Sequence, residues 1–322
     1  MHESEILTLQ SIKGIGPVTI IKLIDELNDS NETKLLDLVF NDTETISNLS
    51  SHKKIIEFYP NKELLNEAIS HSNKEIKSLE IKGIKVVAIT SELYPKSLKL
   101  IKSPPTLLFC KGNIELFSQN RNVAVVGTRN NTPLGKAIAA KTTSFLVSSG
   151  FVIVSGLALG IDAIAHEECL TCKGKTIAVL VDVENVQPSK NRPLADNILS
   201  HGGLLISENK PGITISPPLF IKRDRIQTGI SLAVFPIETS RNGGTMHAVN
   251  AAKQENRLIY VPDHTKSGYQ DKDIEQISGI ISISNDSEVE PYTKSSYLNI
   301  LEKLHKKELE LISEKKVQGT LL

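Results

Sequence analysis

Four stretches of this sequence gather glycines, hydroxyls and guanidinium groups at spacings that suit an anion. The first is Val125-Val126-Gly127-Thr128-Arg129, continuing through Asn130-Asn131-Thr132-Pro133-Leu134-Gly135. Gly127 permits a tight exit from an apolar run and Arg129 follows it with a cation. Asn131 or Thr132 can cap the next helix. The second is Ser155-Gly156-Leu157-Ala158-Leu159-Gly160-Ile161-Asp162. There Ser155 and Gly156 offer a hydroxyl and a backbone N–H, and Gly160 lets a helix begin close to a bound phosphate. The third is Glu238-Thr239-Ser240-Arg241-Asn242-Gly243-Gly244-Thr245, small residues leading into a helix. The fourth is the cationic cluster Phe220-Ile221-Lys222-Arg223-Asp224-Arg225. One glycine-bearing loop is weak evidence, because α/β proteins need glycine at tight turns anyway. Three of them, with Arg129, Lys222, Arg223 and Arg225 alongside, describe a cleft for a polyanion.

Other chemistry finds less support. There is no G-x-x-x-x-G-K-[ST], so a P-loop nucleotidase is not expected, and no G-x-G-x-x-G follows an apolar run. Asp162 and His166 stand four apart on one helix face, the spacing of an acid–base pair. No nucleophile or ligand cluster accompanies them. The reading is therefore that Asp162 orients its loop while His166 hydrogen-bonds locally. Cys169 and Cys172 form a lone C-x-x-C, half of what a zinc site needs, so no metal is expected.

The loops must be held by something, and the texture of the chain says what. From residue 84 onward short apolar runs alternate with helical patterns. Strands are expected at Lys85–Ile89, Thr106–Cys110, Val123–Val126, Phe151–Val154, Thr176–Leu180, Leu204–Ser207, Leu232–Pro236 and Leu258–Val261. Helices are expected at Gly135–Ser149, Gly160–Lys173, Pro193–His201 and Thr245–Glu255. Runs apolar on both faces suit parallel strands covered by helices. The fold class is thus α/β, a doubly wound Rossmann-like, mostly parallel sheet over residues 80–290. In such sheets ligands bind beyond the carboxyl ends of the strands, where the glycine loops fall.

Residues 1–75 read as a small all-helical domain. Within it Lys13-Gly14-Ile15-Gly16-Pro17 separates two amphipathic patterns in the manner of a helix-hairpin-helix. Lys13, Gly14 and Gly16 are secondary candidates for phosphate contact, and a plain packing hairpin is the even alternative. A helix is expected near Lys62–Ile69. Residues 291–322 read as a polar tail, helical from Tyr297 to Leu311, too short for a further domain.

The 37 basic and 37 acidic residues balance, which excludes a protein that coats nucleic acid by bulk charge but not one with a local basic cleft. No apolar run is long enough to span a bilayer and no secretory signal opens the chain, so a cytoplasmic setting with reduced thiols is expected.

Taken in order, these motifs resemble the DprA/Smf family. The lead-in Tyr94-Pro95, Pro104-Pro105, Leu107-Leu108-Phe109 and Lys111-Gly112-Asn113 resembles that family's, as do Val125–Arg129 with Gly135 and the specific stretch Ser155–Asp162 with Ala165-His166. Ser207-Glu208, Phe220, Arg223, Arg225-Ile226 and Gly243-Gly244-Thr245 continue it to about residue 265. The resemblance implies a homodimeric, non-enzymatic protein that binds single-stranded DNA and loads RecA onto it in recombination or natural transformation, with neither metal nor nucleotide cofactor. Departures stand out. Asp224 replaces the family's asparagine between the two arginines, the family's Tyr-Pro gives way to residues around Val186-Gln187-Pro188, and no winged-helix segment follows. These suit a divergent paralogue, with a mobile-element or defence setting among the options. The competing expectation is a nucleotide-binding sensor or a nucleotide N-glycosidic hydrolase of the same superfamily. Its signature glutamate is Ala248 here, which removes the carboxylate that would stabilise an oxocarbenium ion.

Overall fold

The computed structural model describes residues 1–29, 35–40, 50–266 and 275–318. The chain divides into two compact units, one of Met1–Tyr94 with Ser103–Cys110, the other of Pro95–Lys102 with Lys111–Leu322.

The first unit holds helices α1 (Glu3–Gln10), α2 (Pro17–Asp29), α3 (Leu35–Phe40), α4 (Ser50–Phe58) and α5 (Lys62–Ile81), strand β1 (Ile84–Ala88) and most of β2 (Leu107–Gly112). Ile6, Leu9, Ile20, Leu23, Leu35, Ile55 and Leu65 are fully buried and form its apolar centre. The helix expected near Lys62–Ile69 is longer, because Asn61 caps it by accepting from the Leu64 amide at 2.9 Å and Leu65, Ser72 and Leu79 keep one face buried to its end. Between α1 and α2, Gly14 takes φ +88°, a value that favours glycine, and its carbonyl accepts from Lys54 Nζ at 3.2 Å. Gly16 starts α2 through its carbonyl, which accepts from Ile20 N, and Lys13 is exposed. Part of the Asn- and Ser-rich stretch after residue 41 lies outside the described residues.

The second unit carries β3 (Asn122–Val126), α6 (Pro133–Ser148), β4 (Val152–Ser155), α7 (Ile161–Thr171), β5 (Thr176–Val179), α8 (Arg192–Ser200), β6 (Leu204–Ser207), α9 (Pro217–Gly229), β7 (Ala233–Pro236), α10 (Thr245–Gln254), β8 (Leu258–Pro262), α11 (Ser278–Ile283), β9 (Val289–Tyr292) and α12 (Tyr297–Gln318). Its strands lie in the order β6-β5-β4-β3-β7-β8-β9, parallel throughout, with Ala124 opposite both Val154 and Val234. From β3 the chain adds β4, β5 and β6 on one side. It then returns to add β7, β8 and β9 on the other, so the winding reverses at β3. The expected α/β class, with a Rossmann-like parallel sheet, is what the chain forms.

Two elements, and the packing of a third, differ from expectation. The cationic stretch counted among the loops is part of helix α9, opened by Pro217 and Pro218, residues suited to a first helical turn. The tail contributes strand β9, paired to β8 from Val289 to Tyr292, and helix α12. Ile300, Leu304 and Leu311 of α12 bury into the cluster that also holds Val123, Phe235 and Tyr260, so this segment is part of the core and not a polar appendage. Among the described residues no helix is long and apolar enough to cross a membrane.

Candidate nucleic-acid interface

A cleft of about 720 Å³ opens where the winding reverses, at the carboxyl ends of β3, β4 and β7, with α9 as its far wall. This is where an open α/β sheet places its ligand, since adjacent loops there diverge to opposite faces. Gly127, Thr128, Arg129, Asp162, Arg223, Gly243, Gly244 and Thr245 all line it.

The loop after β3 is held from both sides. Thr128 N donates to Glu238 O at 2.7 Å, and Ile161 N, the first amide of α7, donates to Thr128 O at 3.2 Å. Glycines make this approach possible. A Cβ on Gly127 would lie 2.5 Å from Ile161 Cγ1. A Cβ on Gly160, whose φ is +79°, would overlap the carbonyl oxygen of Thr128. The clamped loop projects Arg129 into solvent, with its guanidinium carbon 6.0 Å from the centre of the Phe220 ring on α9. Thr132 caps α6, accepting from Gly135 N at 3.0 Å. The buried Glu238 carboxylate takes Thr132 N (2.9 Å) and Thr132 Oγ1 (2.6 Å) at the same terminus. That end of α6 is therefore already occupied by an internal anion.

The loop after β4 differs from the sequence expectation. Ser155 Oγ is fully buried and donates to Val125 O at 2.7 Å, tying two strands together. The amides of Gly156 and Ala158 donate to Asp162 Oδ2 at 3.1 and 3.4 Å. Neither donor is presented to a ligand, because a carboxylate of the same loop has taken the amides and the strand has taken the hydroxyl. Asn191 adds a second brace, donating from Nδ2 to Leu157 O (2.9 Å) and Ala158 O (3.1 Å). Burial pushes the Asp162 carboxyl upward, against the pull of Arg223 and the loop amides. His166 is fully buried, with Nδ1 2.7 Å from Thr176 Oγ1. Since that hydroxyl donates to Ile153 O at 2.8 Å, it accepts from His166 Nδ1–H. Burial, reinforced by Arg223, holds the imidazole near 3, so it is neutral at physiological pH and no acid–base partner for Asp162. Cys169 is likewise buried, its thiol pushed up to about 12 chiefly by burial.

The cations of α9 separate. Lys222 and Arg225, three apart, share one helix face and both reach Glu208. Arg225 Nη1 and Nη2 donate to its two carboxylate oxygens at 2.9 and 2.7 Å, and Lys222 Nζ lies 3.2 Å away. Arg223, turned to another face, lines the cleft and is 5% exposed. Its guanidinium fills the space a Cβ on Gly156 would occupy, which is the role the structure gives that glycine. Nε and Nη1 make no hydrogen bond among the described residues, and Nε is 3.6 Å from Asp224 Oδ1. Asp224 accepts from Gln227 Nε2 at 2.8 Å, and burial, opposed by Arg223, pushes its carboxyl up to about 6. Asn191 and Gln227 carried no sequence signal, being lone amides outside any glycine motif. Arg225→Ala is expected to leave the salt dependence of any anion bound in the cleft unchanged. It should lower stability by about 1–3 kcal/mol, since Glu208 loses its bidentate partner but keeps Lys222. Chemical denaturation and a salt titration of binding check the two halves separately.

A parallel sheet that winds both ways from β3, with a cleft at the reversal lined by Arg129 and Arg223 beside Asp162 and Asp224, defines a Rossmann-like α/β protein. The family model for DNA recombination-mediator protein A matches residues 85–278, and the chain belongs to that family. DNA processing protein DprA of Bacillus subtilis is 36% identical over 179 residues, 55% of this chain and 60% of that protein. Protein Smf of Synechocystis is 32% identical over 259 residues, 79% of this chain and 63% of the relative. These matches thus span about three fifths of the relatives' own length. The X-ray structure of DprA from Streptococcus pneumoniae superposes with a TM-score of 0.70 at 27% identity, covering 92% of this chain and 97% of that one. DprA of Helicobacter pylori, whose structure describes a single-stranded DNA binding mode, shares the fold at 24% identity and a TM-score of 0.59 over 69% of this chain.

Proposed function

We propose that this chain binds single-stranded DNA in the cleft at the end of β3, as a member of a DNA-processing family and without a covalent step of its own. The observation that carries the proposal is Arg223. It is a buried guanidinium on the cleft wall, beside Asp224 and Asp162, whose Nε and Nη1 lack hydrogen-bond acceptors among the described residues, and it is faced by the exposed Arg129 and the glycine-bearing N-terminus of α10. A buried cation with unmet donors calls for an anion. Phe220, Ile221 and Leu159 add apolar surface to the same cleft, with Ile221 and Leu159 well exposed. Phosphate-meeting cations beside faces on which bases can stack favour a single strand, because a duplex hides its base faces. The volume suits one or two nucleotides, on the order of a small-ligand pocket.

Family resemblance adds RecA and a second copy of the chain as partners, the sequence pattern suits a cytoplasmic setting, and the turn between α1 and α2 offers Lys13, Gly14 and Gly16 as a second phosphate contact, with a plain packing hairpin as the alternative. The N-glycosidic hydrolase reading lacks its carboxylate: Ala248 presents a methyl to the cleft. Anisotropy of labelled oligo-dT and of a matched duplex across a salt titration tests the proposal. The single strand should bind more tightly, and Arg129→Ala should weaken it and reduce the slope of log K against log salt by about 1. Equal affinity for both forms, or an unchanged slope in Arg129→Ala, would overturn it.

A further inference from the structure

The cleft contains a group that a phosphate would avoid. Asp224 lines it with a side chain 17% exposed. One carboxylate oxygen, Oδ1, is taken by Gln227 Nε2, and Oδ2 makes no hydrogen bond among the described residues. Beside it Gln227, 2% exposed, has an Oε1 with no hydrogen-bond donor among the described residues. A patch of unmet acceptors next to Arg223 repels phosphate oxygens and attracts N–H groups. In a nucleotide, N–H donors belong to the base edges. Guanine presents two adjacent donors, N1–H and the N2 amino group, which match a carboxylate in bidentate fashion. Cytosine and adenine each offer one amino group. Thymine's single N3–H is flanked by two carbonyl oxygens that a carboxylate repels.

We propose that Asp224, steadied by Gln227, reads the base seated in this cleft and selects guanine over thymine. This rests on the single-stranded DNA reading above and adds a base preference to it. Arg223 takes the adjoining phosphate and Asp224 the Watson–Crick edge, so the carboxylate that weakens the cleft for phosphate strengthens it for one base. The titratable groups facing Asp224 are Arg223 and Asp162 within the cleft and His247 on α10.

The test uses the full chain and short oligo-dT strands in which one central nucleotide is replaced by dG, dA or dC. The dG strand should bind on the order of tenfold more tightly than all-dT, the yield of one bidentate base contact. In Asp224→Asn the advantage should fall to within about twofold, while affinity for all-dT rises because a negative charge has left the cleft. The same loss should appear in the wild-type protein without mutation as the pH is lowered from 7.5 to 5, since Asp224 takes up its proton near 6 and neither guanine nor thymine titrates there. Equal affinity for dG and dT strands in a protein that binds both would overturn the base assignment and leave the DNA reading standing. A dG preference that survives Asp224→Asn would also overturn it. Failure to bind any strand would remove the DNA reading and this inference together.

Discussion

Gly160→Ala should lower the stability of the protein by about 3 kcal/mol or more, among the larger losses a single methyl can produce. Gly160 sits at φ +79° and ψ −128°, a region essentially closed to residues with a Cβ, which alone costs on the order of 1–3 kcal/mol. The added methyl would also overlap the Thr128 carbonyl oxygen and lie 2.7 Å from Arg129 O. Both obstacles are backbone, already pinned by Thr128 N to Glu238 O and by Ile161 N to Thr128 O, so they have no rotamer by which to yield. Relief requires moving the loop that carries Arg129 away from α7. Urea denaturation should show the lost stability, and oligonucleotide affinity should fall in any folded fraction because Arg129 is displaced. An unfolding midpoint equal to wild type would mean the loops after β3 and β4 do not interlock as described.

Arg223→Gln is expected to have the largest effect on binding. The glutamine keeps much of the volume beside Gly156 but removes the one cation that α9 contributes to the cleft lining among the described residues. Oligonucleotide affinity should fall by about 30-fold or more, the scale of removing a desolvated charge contact. Stability should change with pH in a set direction. Burial raises both Asp162 and Asp224, and Arg223 is the main group pulling them back down. A carboxyl whose folded value lies above its unfolded value contributes stability that is present at low pH and lost as pH rises through the folded value. For Asp224 that window runs from about 4 to about 6 in the wild type. With Arg223 gone both carboxyls move higher. The variant should then be nearly as stable as wild type at pH 4.5 and most destabilised at pH 8. Thermal unfolding across that range checks this, and a deficit that grew toward acid would contradict the placement of the guanidinium between the two carboxylates.

The strands were legible because parallel strands buried on both faces must be continuous apolar runs, and the site loops because glycines at their ends mark where backbone approaches backbone. Helix α9 was not. Its buried positions include Arg223, Gln227 and Thr228 while Ile221 is exposed, so no apolar stripe at helical spacing exists to be read. Strand β9 contains Pro291, which argues against a central strand and is tolerated because β9 is the last strand in the order. In α12 the helix was legible but its buried face was not, because Ile300, Leu304 and Leu311 share the segment with the exposed Leu298 and Leu309 and with many Lys and Glu residues. At the site, the residue types were visible but their directions were not. Ser155 and Gly156 lie at a strand end, where a ligand donor and a structural bond look alike in sequence. Lys222 and Arg225 look like Arg223 until a helical period of 3.6 residues turns them toward Glu208.

The central claim is that a single strand lies in the cleft at the end of β3, against Arg129, Arg223 and the start of α10. Hydrogen–deuterium exchange of the full chain with and without a saturating single-stranded oligonucleotide tests this most directly. Binding should slow exchange in the segments around 127–130 and 242–247 and leave the distant β8–β9 edge unchanged. Tight binding with protection confined to other surfaces, and none at those two segments, would contradict the account.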